Sequence, residues 1–278
     1  MNRDRLAEII LEQNIALAER DSAPGPAPPA LRHEAALNAE RCLAVVDAAA
    51  APPRARVLEV GVGYLYLTAA LRLVHGEAVE LAGIEHPGRS YLAGDEFRRR
   101  IAKQRVDLRL CDVLRDPLPF EDASFDAVLF CDVIEHLPPT EVPALLTALG
   151  SLLRPGGRLV VSSSNLPAFY RVATLAAGRG LIFDPPLPLG YAGGTYGHLR
   201  LYGRADMEIL LDHAGLDLVH WRYLNWERVF IERSSLARRL MYLGQMLVPR
   251  VVPRLSTSWV AAAARRQDPG ADGRRRYP

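Results

Sequence analysis

The chain has 278 residues, 49% of them apolar and 24% charged, enough for one sizeable core or a core plus a cap. Its 34 basic and 32 acidic side chains leave a formal net charge of +2, so the overall balance gives no electrostatic argument for nucleic acid. No apolar run reaches spanning length, the charged start Arg3, Asp4, Arg5 and Glu8 carries no signal-peptide core, and Cys42, Cys111 and Cys131 form no Cys-x-x-Cys pair. These features predict a soluble cytoplasmic protein with reduced thiols.

In chain order, residues 2–20 predict an amphipathic helix, Ser22–Pro29 a proline-rich break and 31–50 an alanine-rich helix. Strand-like runs follow at 56–61, 79–85, 106–111, 126–131 and 158–163, with helical stretches at 66–75, 90–104 and 141–153 between most of them. This alternation predicts right-handed crossovers and a mainly parallel α/β sheet. Residues 166–203, rich in Gly, Pro and Tyr, predict a long loop insert, and a helix at 206–214 stops at Gly215. Two more strands are expected at 217–224 and 257–264, with an apolar helix at 234–248 between them and a basic, disordered tail at 267–278. The expected organisation is an N-terminal helical cap (1–50), a core (51–224), a helical insert (225–256), a last strand (257–266) and the tail.

Residues 56–63, Arg-Val-Leu-Glu-Val-Gly-Val-Gly, read as a buried strand running into a glycine turn and then a helix. Such a turn lets the backbone come close to a bound nucleoside. A dinucleotide turn needs a third small residue three positions after the second glycine, where Tyr66 stands, and no Gly-Lys-Ser/Thr follows to cradle phosphates. Glu59 would repel pyrophosphate but suits a cationic amine. A ligand with an ammonium group and no phosphate, such as S-adenosylmethionine, meets these constraints.

Here the sequence resembles the class I S-adenosylmethionine-dependent methyltransferases, whose first motif is Glu/Asp-x-Gly-x-Gly-x-Gly. Glu59, Gly61 and Gly63 match it, and Leu65 stands at the third glycine. Pro117–Phe120 with Ser124-Phe125-Asp126, then Phe130–Leu137, then Leu153–Leu159 resemble later motifs of the family in the expected order. The likeness spans roughly 50–225 and is closest to the type 11/23 group, similar to enzymes of glycan and quinone biosynthesis. It implies a Rossmann-like, doubly wound seven-stranded sheet with an antiparallel last strand, S-adenosylmethionine as cofactor and methyl transfer.

The physics of strand ends and the resemblance together assign roles. Glu85 accepts from the ribose hydroxyls, or is merely a solvated carboxylate; His86 walls the adenosine pocket. Asp112 accepts from the adenine amine beside Val113, or is a turn aspartate before Asp116-Pro117. Cys131 and Asp132 line the methionine end. His136 reads as a cofactor wall, a general base or a metal ligand; no metal is expected, because no Asp-Asn pair accompanies it. Ser162–Asn165 with Gly197–Tyr202 resembles glycan-pathway methyltransferases, which implies that Asn165, His198, Arg200 and Tyr202 border the acceptor, with His198 a second base. His198 and Arg200 could instead simply tie the long loop to the sheet by hydrogen bonds.

The expected function is methyl transfer to a small-molecule or glycan- or lipid-linked acceptor, at oxygen. The alternative is a catalytically silent cofactor- or partner-binding domain in which Leu65 crowds the methionine end. A nicotinamide oxidoreductase would need the dinucleotide turn that Tyr66 breaks. The helix at 234–248, with Arg238 and Arg239, leaves open a membrane-surface contact, a cap on the domain or a homodimer contact.

Overall fold

The computed structural model describes residues 2–18, 29–178, 187–188, 195–225 and 236–266. Two helices, α1 (Asn2–Ala18) and α2 (Pro29–Ala49), lead into β1 (Arg56–Val60), α3 (Tyr66–His75), β2 (Glu80–Glu85), α4 (Asp95–Gln104) and β3 (Val106–Leu110). Then come β4 (Phe125–Cys131), α5 (Val142–Ser151), β5 (Leu153–Ser164) and α6 (Phe169–Ala176). The chain continues through α7 (Arg204–His213), β6 (Leu216–Leu224), α8 (Leu236–Val251) and β7 (Ser258–Arg265). A two-residue pairing of Leu187–Pro188 with Thr195–Tyr196 stands apart from the main sheet.

The sheet runs β3-β2-β1-β4-β5-β7-β6. Its first five strands pair in parallel, and β7 lies antiparallel to both neighbours, as expected from the sequence. Strand order reverses between β1 and β4, so the crevice above their carboxyl ends is the place where such sheets take ligands. β4 is apolar on both faces because helices cover both. Ala127, Leu129 and Cys131 join the core under α2 and α3, while Val128 and Phe130 join the core against α5 and α7.

The N-terminal helices expected as a cap, α1 and α2, contribute to the core of the first face: Leu6, Ile10, Ala39, Cys42 and Val45 pack with β-strand residues and α3. The expected long loop at 166–203 contains α6. The tail at 267–278 and the rest of the 179–194 stretch lie outside the described residues.

Candidate functional site

The turn after β1 depends on backbone that ordinary residues avoid. Gly61 and Gly63 have φ of 79° and 49°, in the left-handed region. A Cβ on Gly61 would sit 2.7 Å from the Val133 side chain, whereas one on Gly63 would meet nothing nearer than the Gly61 carbonyl at 3.9 Å. Space above Gly63 is therefore open. Leu65, at the start of α3, is also left-handed, with φ of 65°. That conformation costs a non-glycine residue about 1–2 kcal/mol. Its side chain packs in a small core with Val62 and Phe97, and it leaves the space above Gly63 clear.

Two carboxylates flank this turn. Glu85, the last residue of β2, accepts the Gly63 N–H at 3.0 Å and the His86 N–H at 2.9 Å, with Arg89 Nε 3.5 Å away. Glu59 lies within β1 and not in the turn where the sequence suggested it. It is buried and accepts the Thr68 hydroxyl at 2.8 Å. Burial, with the nearby Glu85 adding to it, pushes the Glu59 carboxyl up to about 8 despite the Thr68 hydrogen bond. A carboxyl so placed gains most from a cation that restores its charge.

The end of β4 holds a third acid. Asp132 is left-handed, with φ of 54°. Its carboxylate accepts the Ser162 hydroxyl at 2.9 Å and forms an ion pair with Arg41 of α2. Burial works against the Arg41 charge, but Asp132 together with Cys42 and Cys131 overcomes it and holds the guanidinium above its ordinary range. The neighbouring Cys131 thiol is pushed up by burial and is no ready nucleophile. Sequence reading missed Arg41 and Thr68. A signal existed for Arg41: it falls on the same helical stripe as Asn38, Cys42 and Val45, a charge on a buried face.

The adenine end is less decided. Asp112 Oδ1 accepts the Leu114 N–H at 3.1 Å, while its own N–H donates to Asp116 at 2.9 Å. Its other oxygen lies 3.7 Å from His86 Nε2 and 3.5 Å from Arg115 Nε. The turn role is thus present, and the carboxylate keeps further acceptor capacity. His86 is half exposed and its Nδ1 accepts the Gly88 N–H at 3.0 Å. Val113 is half-buried against the second core.

On the acceptor side the structure brings His136 and His198 together, with ring centroids 5.0 Å apart. The link is backbone: Leu199 N–H donates to the Glu135 carbonyl at 2.7 Å, joining the loop before α7 to the short helical turn 134–136. His136 Nδ1 lies 3.1 Å from the Gly197 carbonyl, which can only accept. Nδ1 therefore carries the hydrogen and Nε2 the basic lone pair. One ligand-type atom each from Glu135, His136 and His198 lie within 4.8 Å of one another, whereas the sequence offered His136 as a possible metal ligand without His198.

Two expected acceptor contacts need correction. Asn165 is fully buried, and its amide donates to the Arg254 and Ser256 carbonyls at 2.9 and 2.7 Å, so it fastens β5 to the strand that follows α8. Tyr202 is buried in the second core, and its carbonyl accepts the Trp259 indole N–H at 2.9 Å. The backbones of the two residues pair with each other in an isolated parallel bridge. Arg200 is exposed, ion-paired to Asp206 at 2.9 Å, with its guanidinium 5.2 Å from the Tyr202 ring centre.

The residues fit a cationic amino-acid nucleoside: open space above Gly63, paired carboxylates at adjacent strand ends and a buried arginine for a carboxylate group. Comparison with known proteins agrees. Residues 31–221 match the family model described as a methyltransferase domain. The ubiquinone biosynthesis O-methyltransferase of Xanthomonas axonopodis pv. citri (strain 306) is 34% identical over 214 residues, 75% of this chain and 80% of that protein. Its counterpart in Xylella fastidiosa (strain 9a5c) is 33% identical over 178 residues, 62% of this chain and 66% of that protein. A solved geranyl diphosphate methyltransferase in complex with SAM shares the fold at a TM-score of 0.54 and 14% identity, covering 87% of this chain and 92% of that one. A putative methyltransferase in complex with the Haloferax volcanii Trm112 activator gives 0.56 at 14%, covering 83% and 90%. With the motifs in order, the cradle built and most of the chain matched, this protein belongs to the methyltransferase-domain family and is an S-adenosylmethionine-dependent methyltransferase.

Proposed function

We propose that the chain methylates a hydroxyl oxygen on a small or lipid-linked acceptor, with the His136–His198 pair receiving the proton. The observation that carries this reading is the pair itself: two imidazoles 5.0 Å apart, with Nδ1 of His136 committed to a carbonyl. The relatives named ubiquinone biosynthesis O-methyltransferase support oxygen, and their name supports an acceptor of quinone-precursor type.

When bound, S-adenosylmethionine supplies a methyl carbon already activated by a sulfonium. The protein's own task is alignment and charge control, worth several kcal/mol when the reacting atoms are held in line. Glu85 would hold the ribose and Glu59 a positive charge beside it, while Arg41 would exchange Asp132 for the carboxylate of the amino-acid moiety. His136 Nε2 would take the hydroxyl proton as the oxygen gains the methyl carbon and the bond from that carbon to the sulfonium sulfur breaks, and the nearby Glu135 carboxylate would stabilise the resulting imidazolium. Leu65 gives the silent-domain alternative no support, since its side chain packs away from the turn's open side.

The test uses methyl-labelled cofactor with a panel of hydroxylated aromatic acceptors, with and without a prenyl tail, and matched amines. We expect label on the hydroxylated compounds. His136→Asn should lower kcat about 100-fold or more with KM little changed. Exclusive labelling of amines would overturn the assignment to oxygen. Activity should survive EDTA; loss that zinc or magnesium restores would give Glu135, His136 and His198 to a metal instead.

A further inference from the structure

Helix α8 leaves one face uncovered. Leu236, Leu240, Leu243, Leu247 and Val251, spaced along a single helical stripe, are 73%, 58%, 51%, 46% and 84% exposed. The opposite face is anchored: Gln245 is buried and accepts the Tyr170 N–H at 3.0 Å while bonding Asn225 at 2.9 Å. Gly244 lets α6 come close, since a Cβ there would lie 2.3 Å from the Phe169 ring. α6 itself exposes Val172 and Leu175, at 44% and 56%. The apolar stripe is thus held rigidly on the outside of the molecule, and no helix among the described residues is long and apolar enough to cross a membrane.

Charge indicates what covers it. From Arg233 to Gln267 the sequence contains no Asp or Glu, while Arg250 closes the helix and Arg254 follows it, both with exposed side chains. A second copy docked by a twofold axis would set two antiparallel α8 helices against each other, the end of one that carries Arg238 and Arg239 against the Arg250 end of the other, and the α8 sequence contains no Asp or Glu. An anionic lipid surface supplies the missing charge and a place for leucines beneath the headgroups. The segment that follows α8 is tied to the β5 end through the Asn165 bonds to residues 254 and 256. We propose that the α8 face, with the edge of α6, docks the enzyme on an anionic bilayer surface. This goes beyond the methylation reading and does not depend on it.

The experiment is co-sedimentation of the full chain with vesicles of phosphatidylglycerol and phosphatidylcholine, or of phosphatidylcholine alone, followed by gel filtration. We expect binding to the anionic vesicles that falls steeply in 0.5 M salt. Leu240→Glu with Leu243→Glu should abolish it while leaving the circular dichroism spectrum, melting temperature and affinity for S-adenosylhomocysteine unchanged. Arg250→Glu with Arg254→Glu should weaken it at least about tenfold. Equal binding to both vesicle types, no binding at all, or a stable dimer that Leu240→Glu with Leu243→Glu turns into monomer would each overturn the proposal. Failure here leaves methyl transfer untouched, because activity on a soluble acceptor is measured separately.

Discussion

Glu59 makes folding sensitive to pH and, in the role proposed for it, would couple cofactor binding to proton release. The folded protein keeps this proton up to about pH 8, whereas an unshifted carboxyl releases it near 4.5. The unfolded chain therefore binds fewer protons across that window, and stability of the cofactor-free protein falls as pH rises from about 4.5 to 8. Glu59→Gln should remove this loss, so its melting temperature should exceed wild type at pH 8 and match it near pH 4.5. Titration calorimetry at pH 7 in buffers of different ionisation enthalpy should show proton release when S-adenosylmethionine binds the wild type and none for Glu59→Gln. Leu65 sets two magnitudes against each other. Glycine there would relieve about 1–2 kcal/mol of left-handed strain, but it would forfeit a buried leucine worth about 3–5 kcal/mol with its cavity. Packing wins, and we expect Leu65→Gly to lower stability by roughly 1–4 kcal/mol in a denaturant melt, without loss of cofactor affinity.

At the scale of elements, α2 is both a wall of the core and a supplier to the site. Arg41→Ala should leave Asp132, itself held in a strained backbone, facing a cavity without its partner. We expect a stability loss of about 2 kcal/mol, reduced from the fully buried case because Asp132 is a quarter exposed. Affinity for S-adenosylmethionine should also drop about tenfold or more, and Arg41→Lys should recover stability better than affinity, since a bidentate grip is lost. The seam between α6 and α8 rests on one missing side chain. Gly244→Val would drive a branched Cβ into the Phe169 ring and should cost about 1–3 kcal/mol, read from the same melt.

For the whole molecule, the sheet order and the antiparallel last strand were legible because they follow from local signals: apolar runs of strand length, glycine turns and helical periodicity. Glu59, Gly61, Gly63 and Glu85 were legible for the same reason, since a carboxylate at a strand end and left-handed glycines are placed by the strand and turn they belong to. What was hidden arose from contacts between distant segments. Arg41 meets Asp132 across 91 residues, and His198 meets His136 only because a loop pairs its backbone with Glu135. Asn165 and Tyr202 carried the composition of a binding site, yet both are buried, Asn165 donating to two distant carbonyls and Tyr202 packed in the second core. The sequence by itself determined the fold and the positions of Glu59, Gly61, Gly63 and Glu85 around the β1 turn, because both are written in short-range backbone preferences. Only the tertiary structure decided which charges neutralise each other and which face of α8 meets solvent, because burial and pairing depend on what packs opposite, and that is not local.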